Sequence, residues 1–314
     1  MIRDEELPIR ELEKRFPLYA HAAARVGGGI TSFRPEKLPM GGTEITDLRD
    51  YSPGDPLWRI DWGICARHDE LRVREYAGSA NRNAYIFLDA MYGIRSFPEK
   101  WRAARLATAL LTYVLRRTGA IVRLAIFSPD FHFFPQPGDA SRPGSFFRLL
   151  REWDENAALE KKCPKNLAQP VDAFLNLSLP PGELYFVSNF FADGDSFSKI
   201  YNENFRQLRH DGHSLRLVHL TTPSERCDGA TGDVDIVDES RGYRQIVSLT
   251  ERDLAHYQKL YDRYIESVRE YCSSNGMHYT RVDTSAPLND LCLSILGAPP
   301  KLFGANPWRE FIDR

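Results

Sequence analysis

The feature that most constrains this chain is a series of short apolar runs, each followed by a stretch with helical spacing. Ala84-Tyr85-Ile86-Phe87-Leu88 is unbroken and ends on Asp89. A strand covered on both faces has this pattern, because successive side chains point to opposite sides. Pro98 and Glu99 then open a segment in which Trp101, Ala104, Ala107, Leu111, Val114 and Leu115 fall on one helical face, closed by Gly119. The alternation continues: strand Ile121–Phe127, helix Ser145–Trp153, short helix Val171–Leu177, strand Leu184–Val187, helix 196–210, strand Leu215–Leu220. Val234–Val237 and Tyr243–Val247 flank Arg241-Gly242 as a hairpin. Helix 250–274, strand His278–Val282 and helix Leu288–Leu296 complete the series. Strands alternating with helices predict βαβ crossovers and an α/β, mostly parallel sheet flanked by helices. Ligands of such sheets bind beyond the carboxyl ends of the strands, where Asp89 and Asn189 fall.

Ahead of this series the pattern differs. Residues 5–25 have helical spacing and residues 26–42 are rich in Gly and Pro. Residues 43–76 carry eight acidic and five basic side chains, with short strands expected near Glu44–Tyr51 and Leu71–Ala77. The expected division is an arm over 1–80, the α/β domain over 81–300 and a tail over 301–314.

Charge and cysteine usage exclude several classes. The net charge is -2, without the basic excess of a dedicated nucleic-acid binder. Ten residues is the length of the longest apolar runs, as at Leu106–Leu115, whereas a membrane span needs roughly 18. The charged start has no apolar signal region. No direct membrane insertion and a cytoplasmic location are therefore expected. The five cysteines (Cys65, Cys163, Cys227, Cys272 and Cys292) are scattered and never spaced CxxC, so free packing thiols are expected rather than zinc ligands or disulfides. Walker, G-x-S-x-G, H-E-x-x-H and deaminase signatures are absent from the sequence, and Arg209-His210-Asp211-Gly212-His213 is placed as a helix-ending turn. The chain is expected not to be an enzyme and to need no cofactor.

Within the charged segment, Leu48-Arg49, Tyr51, Pro53-Gly54-Asp55, Arg59-Ile60-Asp61-Trp62 and Ala66-Arg67 follow the order L-R-x-Y-x-P-G-D-x-x-x-R-I-D-W-x-x-x-A-R. This resembles the signature of the domain of unknown function 58 family (DUF58), and the resemblance extends over about residues 20–297. It implies a von Willebrand factor A-like, Rossmann-type core. It also implies a protein-binding adaptor that acts with a MoxR-type AAA+ ATPase in assembly or maturation of protein complexes.

That resemblance directs attention to a metal site built from D-x-S-x-S, a loop threonine and a later aspartate. Here Asp89 matches the first position, while Met91, Gly93, Lys165 and Asn189 stand at the others. One carboxylate with one amide is a poor oxygen set for Mg²⁺, so a degenerate, metal-free site is expected. Asp89 is expected to cap the following turn, and a Lys165–Asp89 ion pair is the sharper alternative. Exposed Met91 and Tyr92, with Asp89 and Asn189, are the candidate partner contacts. For the charged segment two readings stand: a structural clasp of Arg–Asp forks, or a docking surface. Two other functions compete with the adaptor: a hydrolase using Asp55, Arg59, Asp61 and Arg67 within 47–67, and a metal-dependent adhesion module at Asp89.

Overall fold

The computed structural model describes residues 45–50, 64–65, 71–76, 83–117, 119–128, 130–137, 143–156, 167–191, 199–238 and 243–296. They fall into two compact units, one within 32–82 and the other from Asn83 onward.

In the first unit, β1 (Ile45–Asp50) pairs antiparallel with β2 (Arg72–Tyr76), with a register shift between Ile45 and Asp47. Both strands were expected. Asp50 and Arg72 approach to 3.3 Å, but the Asp50 side chain is 85% exposed. A pair so wet contributes little and does not by itself make a clasp. Tyr51, Pro53, Gly54, Asp55, Arg59, Asp61, Trp62 and Arg67 lie outside the described residues, as do the helix expected at 5–25, the tail and Lys165. Arg49 lies in β1.

The second unit holds a six-stranded sheet in the order β10-β7-β6-β3-β4-β5. Its strands are β3 (Asn83–Asp89), β4 (Ile121–Phe127), β5 (Phe131–Phe134), β6 (Gly182–Ser188), β7 (Ser214–Thr221) and β10 (His278–Asp283). All pair in parallel except β5, which returns antiparallel along β4. The expected α/β architecture, a mostly parallel sheet flanked by helices, is the one observed.

The helices are α1 (Tyr92–Arg95), α2 (Pro98–Arg117), α3 (Pro143–Asn156), α4 (Ala168–Leu175), α5 (Phe205–His210), α6 (Glu251–Ser274) and α7 (Leu288–Ile295). Alternation along β3 explains its unbroken apolar run. Ala84, Ile86 and Leu88 join one core with side chains of α2, α3 and α7. Tyr85 and Phe87 join another with Phe174 of α4, Phe205 of α5 and Val268 of α6. Local rules set the helix ends. Pro98 and Glu99 begin α2, Arg116 and Arg117 finish it, and Gly119 follows at φ +83. Thr250 and Asp253 exchange hydrogen bonds as a capping box for α6.

Three features differ from the sequence expectation. β5 was not foreseen: Phe131-His132-Phe133-Phe134 has no polar alternation, and four residues bounded by Pro135 give periodicity little to act on. The helix expected over 196–210 is described from Lys199, as a π-helical turn to Asn204 followed by α5. A 3₁₀ turn at Pro223–Arg226 follows β7, in a stretch to which the sequence reading assigned no element.

Candidate functional site

The chain leaves β3 for β4 on one side and later returns to β6 on the other. The carboxyl ends of β3 and β6 therefore flank the switch point, where sheets of this winding usually open a crevice. Here they are stapled together. Asp89 is 0% exposed. Its Oδ1 accepts the Met91 N–H at 3.1 Å, capping the turn that follows, as expected. Its Oδ2 accepts the Ser188 Oγ–H at 2.6 Å, and the same Oγ accepts the Phe190 N–H at 3.0 Å. The path Phe190 N–H to Ser188 hydroxyl to Asp89 carboxylate is a continuous chain of mutually polarising bonds.

Neighbouring elements hold this strand end in place. Phe190 adopts a left-handed conformation (φ 53), and its carbonyl accepts the Tyr264 O–H from α6 at 2.6 Å. Phe191 stacks on the Tyr264 ring at 4.9 Å. Burial raises the Tyr264 and Tyr279 phenols well above their ordinary range, so both stay neutral. Tyr279 lies 2.9 Å from Nδ1 of the buried His219. On the other side, α1 is tied to α3: Arg95 meets Asp154 at 2.6 Å and lies over the Trp153 ring, while Trp101 donates to the same carboxylate.

The sequence-predicted positions divide as follows. Asp89, Met91, Gly93 and Asn189 do come to one strand end, and a Cβ on Gly93 would meet the Asn189 amide at 3.9 Å. Lys165 falls outside the described residues, so its pairing with Asp89 does too. The expectation of an exposed Met91 is overturned: it is 5% exposed, because its backbone closes the Asp89 turn and folds its side chain inward. Asn189 is likewise buried, and of the four candidate contacts Tyr92 alone is partly open. Ser188 was read only as the end of its strand and not as part of the site. Its signal was available, since it follows the apolar run Leu184–Val187 just as Asp89 follows Ala84–Leu88.

A second buried constellation lies beyond β7. Lys100 Nζ sits 2.6 Å from Glu225 Oε1, with side chains 2% and 10% exposed. Glu225 Oε2 also accepts the Thr222 N–H at 3.0 Å and the Tyr261 O–H at 2.9 Å. Thr222 Oγ1 donates to Glu99 at 3.3 Å. Sequence reasoning missed this network. The clue was Lys100 itself, on the same helical stripe as Ala104, Ala107 and Leu111. The buried Cys272 thiol is pushed up to about 12 by burial, which suits packing rather than nucleophilic attack.

Among the described residues, no group of three or more His, Cys, Asp or Glu is placed to hold a metal ion, and no helix is long and apolar enough to cross a membrane. Calorimetric titration with Mg²⁺ or Mn²⁺ is expected to show no micromolar binding, since Asp89 is fully buried and has no such group of ligands around it among the described residues. Micromolar binding abolished by Asp89→Ala would refute the closed site.

A family model described as "Protein of unknown function DUF58" matches residues 47–265. The uncharacterized protein YeaD of Bacillus subtilis (strain 168) is 28% identical over 93 residues, which is 29% of this chain and 22% of that protein. The match thus spans about a fifth of that relative's length. Among solved structures, the conserved hypothetical protein BatB from Bacteroides thetaiotaomicron aligns with a TM-score of 0.39 and 12% identity, over 69% of this chain and 96% of that one. An aerotolerance-related membrane protein from Bacteroides fragilis NCTC 9343, carrying multiple mutations to serines, aligns at 0.40 and 13%, over 68% and 98%.

Proposed function

The chain belongs to the DUF58 family, and on that premise we propose that it is a non-catalytic protein-binding adaptor. In this reading it works in the cytoplasm with a MoxR-type AAA+ ATPase, in the assembly or maturation of a protein complex. The supporting observation is the closed switch point. A catalytic acid or a metal ligand must be reachable by its substrate or ion, whereas the Asp89 carboxylate is fully buried and engaged by a backbone N–H and a serine hydroxyl. The position that would carry chemistry serves to join two strands, which leaves the outer surface of the domain to do the recognition.

The test is affinity capture from native extract with and without ATP. An AAA+ ATPase is expected to be retained in one nucleotide state and released in the other. Capture of no AAA+ ATPase in either state would overturn the reading.

A further inference from the structure

Strands β8 (Gly232–Asp238) and β9 (Tyr243–Leu249) form an antiparallel hairpin in which Val234 lies opposite Val247 and Asp235 opposite Ile246. Among the described residues, neither strand joins the six-stranded sheet. A lone two-stranded hairpin is marginal in water, and the outer edge of each strand offers backbone groups for pairing. This hairpin is also unusually apolar on its surface. Ile236 is 42% exposed, Val237 and Tyr243 50%, and Ile246 71%; together they are four of the ten most exposed large apolar side chains among the described residues.

Over residues 233–236 β8 alternates acidic and apolar side chains. Asp233 and Asp235 share one face with Val237, and Val234 and Ile236 lie on the other. Charges on an edge strand discourage random pairing, which accounts for the aspartates but not for the apolar row behind them. Arg244 of β9, the diagonal neighbour of Asp235, already meets it through two bonds at 2.6 and 3.1 Å. Ser248 of β9 likewise donates to Asp233, so a strand on the opposite side of β8 would share both carboxylates with β9. A second copy of β8 does not fit, because it would set one aspartate row against another.

We propose that the outer edge of β8 takes up, as a third strand, an extended segment of a protein partner in which Lys or Arg alternates with Val- or Ile-like residues. Basic side chains would face Asp233 and Asp235, and apolar ones would cover Val234 and Ile236. Main-chain bonds give such strand addition its affinity and the alternate side chains its specificity. The proposal rests on the adaptor reading and names the class of segment bound.

The probe is an octapeptide alternating lysine and valine, titrated into the full chain, with a glutamate–valine octapeptide as control. Saturable binding by the lysine peptide alone is expected, with new amide-exchange protection within 232–238 and at least tenfold weaker binding after Asp233→Lys with Asp235→Lys. Ile236→Asp keeps the Arg244–Asp235 pair and is expected to weaken binding as well. Equal binding of the glutamate peptide, protection confined to other segments, or unchanged binding by both variants would overturn the proposal. A concentration-dependent dimer lost in the same variants would replace it with self-association. If the wild-type chain captures the ATPase but not the peptide, the hairpin proposal alone falls; if it captures the peptide but no AAA+ ATPase, the docking edge stands and the ATPase role falls.

Discussion

Lys100→Met is expected to destabilise the α/β unit by about 3–5 kcal/mol, the usual cost of removing one partner from a buried ion pair. Methionine fills much the same space as the lysine stem, so the loss is not one of packing. It arises because Glu225 would remain in the 3₁₀ turn after β7, its side chain 10% exposed, with a charge matched among the described residues by the Thr222 N–H and Tyr261 O–H dipoles. Those two donors hold the cost toward the lower end of that range. A control separates charge from shape: Lys100→Met with Glu225→Gln keeps an acceptor for Thr222 and Tyr261 while abolishing the charge. It is expected to recover most of the loss, since buried pairs replaced by neutral groups of similar volume are often close to neutral in stability. Urea unfolding of the three proteins measures this. A single variant within about 0.5 kcal/mol of wild type would mean that water reaches the pair.

Phe87→Ala is expected to be equally severe, for a different reason. The ring is fully buried, stacks on Phe186 with centroids 4.4 Å apart, and meets the edges of Phe127 and Phe174 at 5.3 and 4.8 Å. Deleting such a ring costs about 3–5 kcal/mol in transfer energy and residual cavity. Neighbours anchored on two strands and a helix have little freedom to collapse into the space. Phe87→Leu retains most of the volume and is expected to lose only about 1–1.5 kcal/mol. At roughly 2–4 °C per kcal/mol for a unit of this size, thermal melts should separate the two variants clearly. A melting point for Phe87→Ala that matches Phe87→Leu would show that the aromatic cluster is not what holds that face of the sheet.

Much of the fold was legible because it is written locally. β3 and β6 announce themselves as unbroken apolar runs, the pattern of strands covered on both faces, and the runs of β4 and β7 are interrupted by Arg123 in the one and by Arg216 and His219 in the other. α2 and α6 carry their own start signals in Pro98 and Thr250. β5 was not legible: an edge strand of four residues is defined by its partner β4 rather than by any period of its own. The site was half legible. Asp89 stood out by its position after a buried run, and the degenerate D-x-Met-x-Gly pattern directed attention away from metal. Ser188, 99 residues further on, could be linked to Asp89 only through the parallel pairing of β3 and β6. Met91 was misjudged because exposure was assigned by analogy with a ligand position, whereas its backbone turns inward to bond the aspartate.

The sequence by itself determined the class of fold, the family and the order of most elements, since periodicity, caps and turn residues act over a few neighbours and need no knowledge of the rest of the chain. Tertiary structure alone decided what the strand ends do. Closing Asp89 with Ser188, pairing Lys100 with Glu225, and leaving β8 with an edge that no other described strand joins all depend on which distant segments meet. Such meetings are set by burial of two opposite faces of one sheet, a property of the whole chain that no local stretch of residues contains.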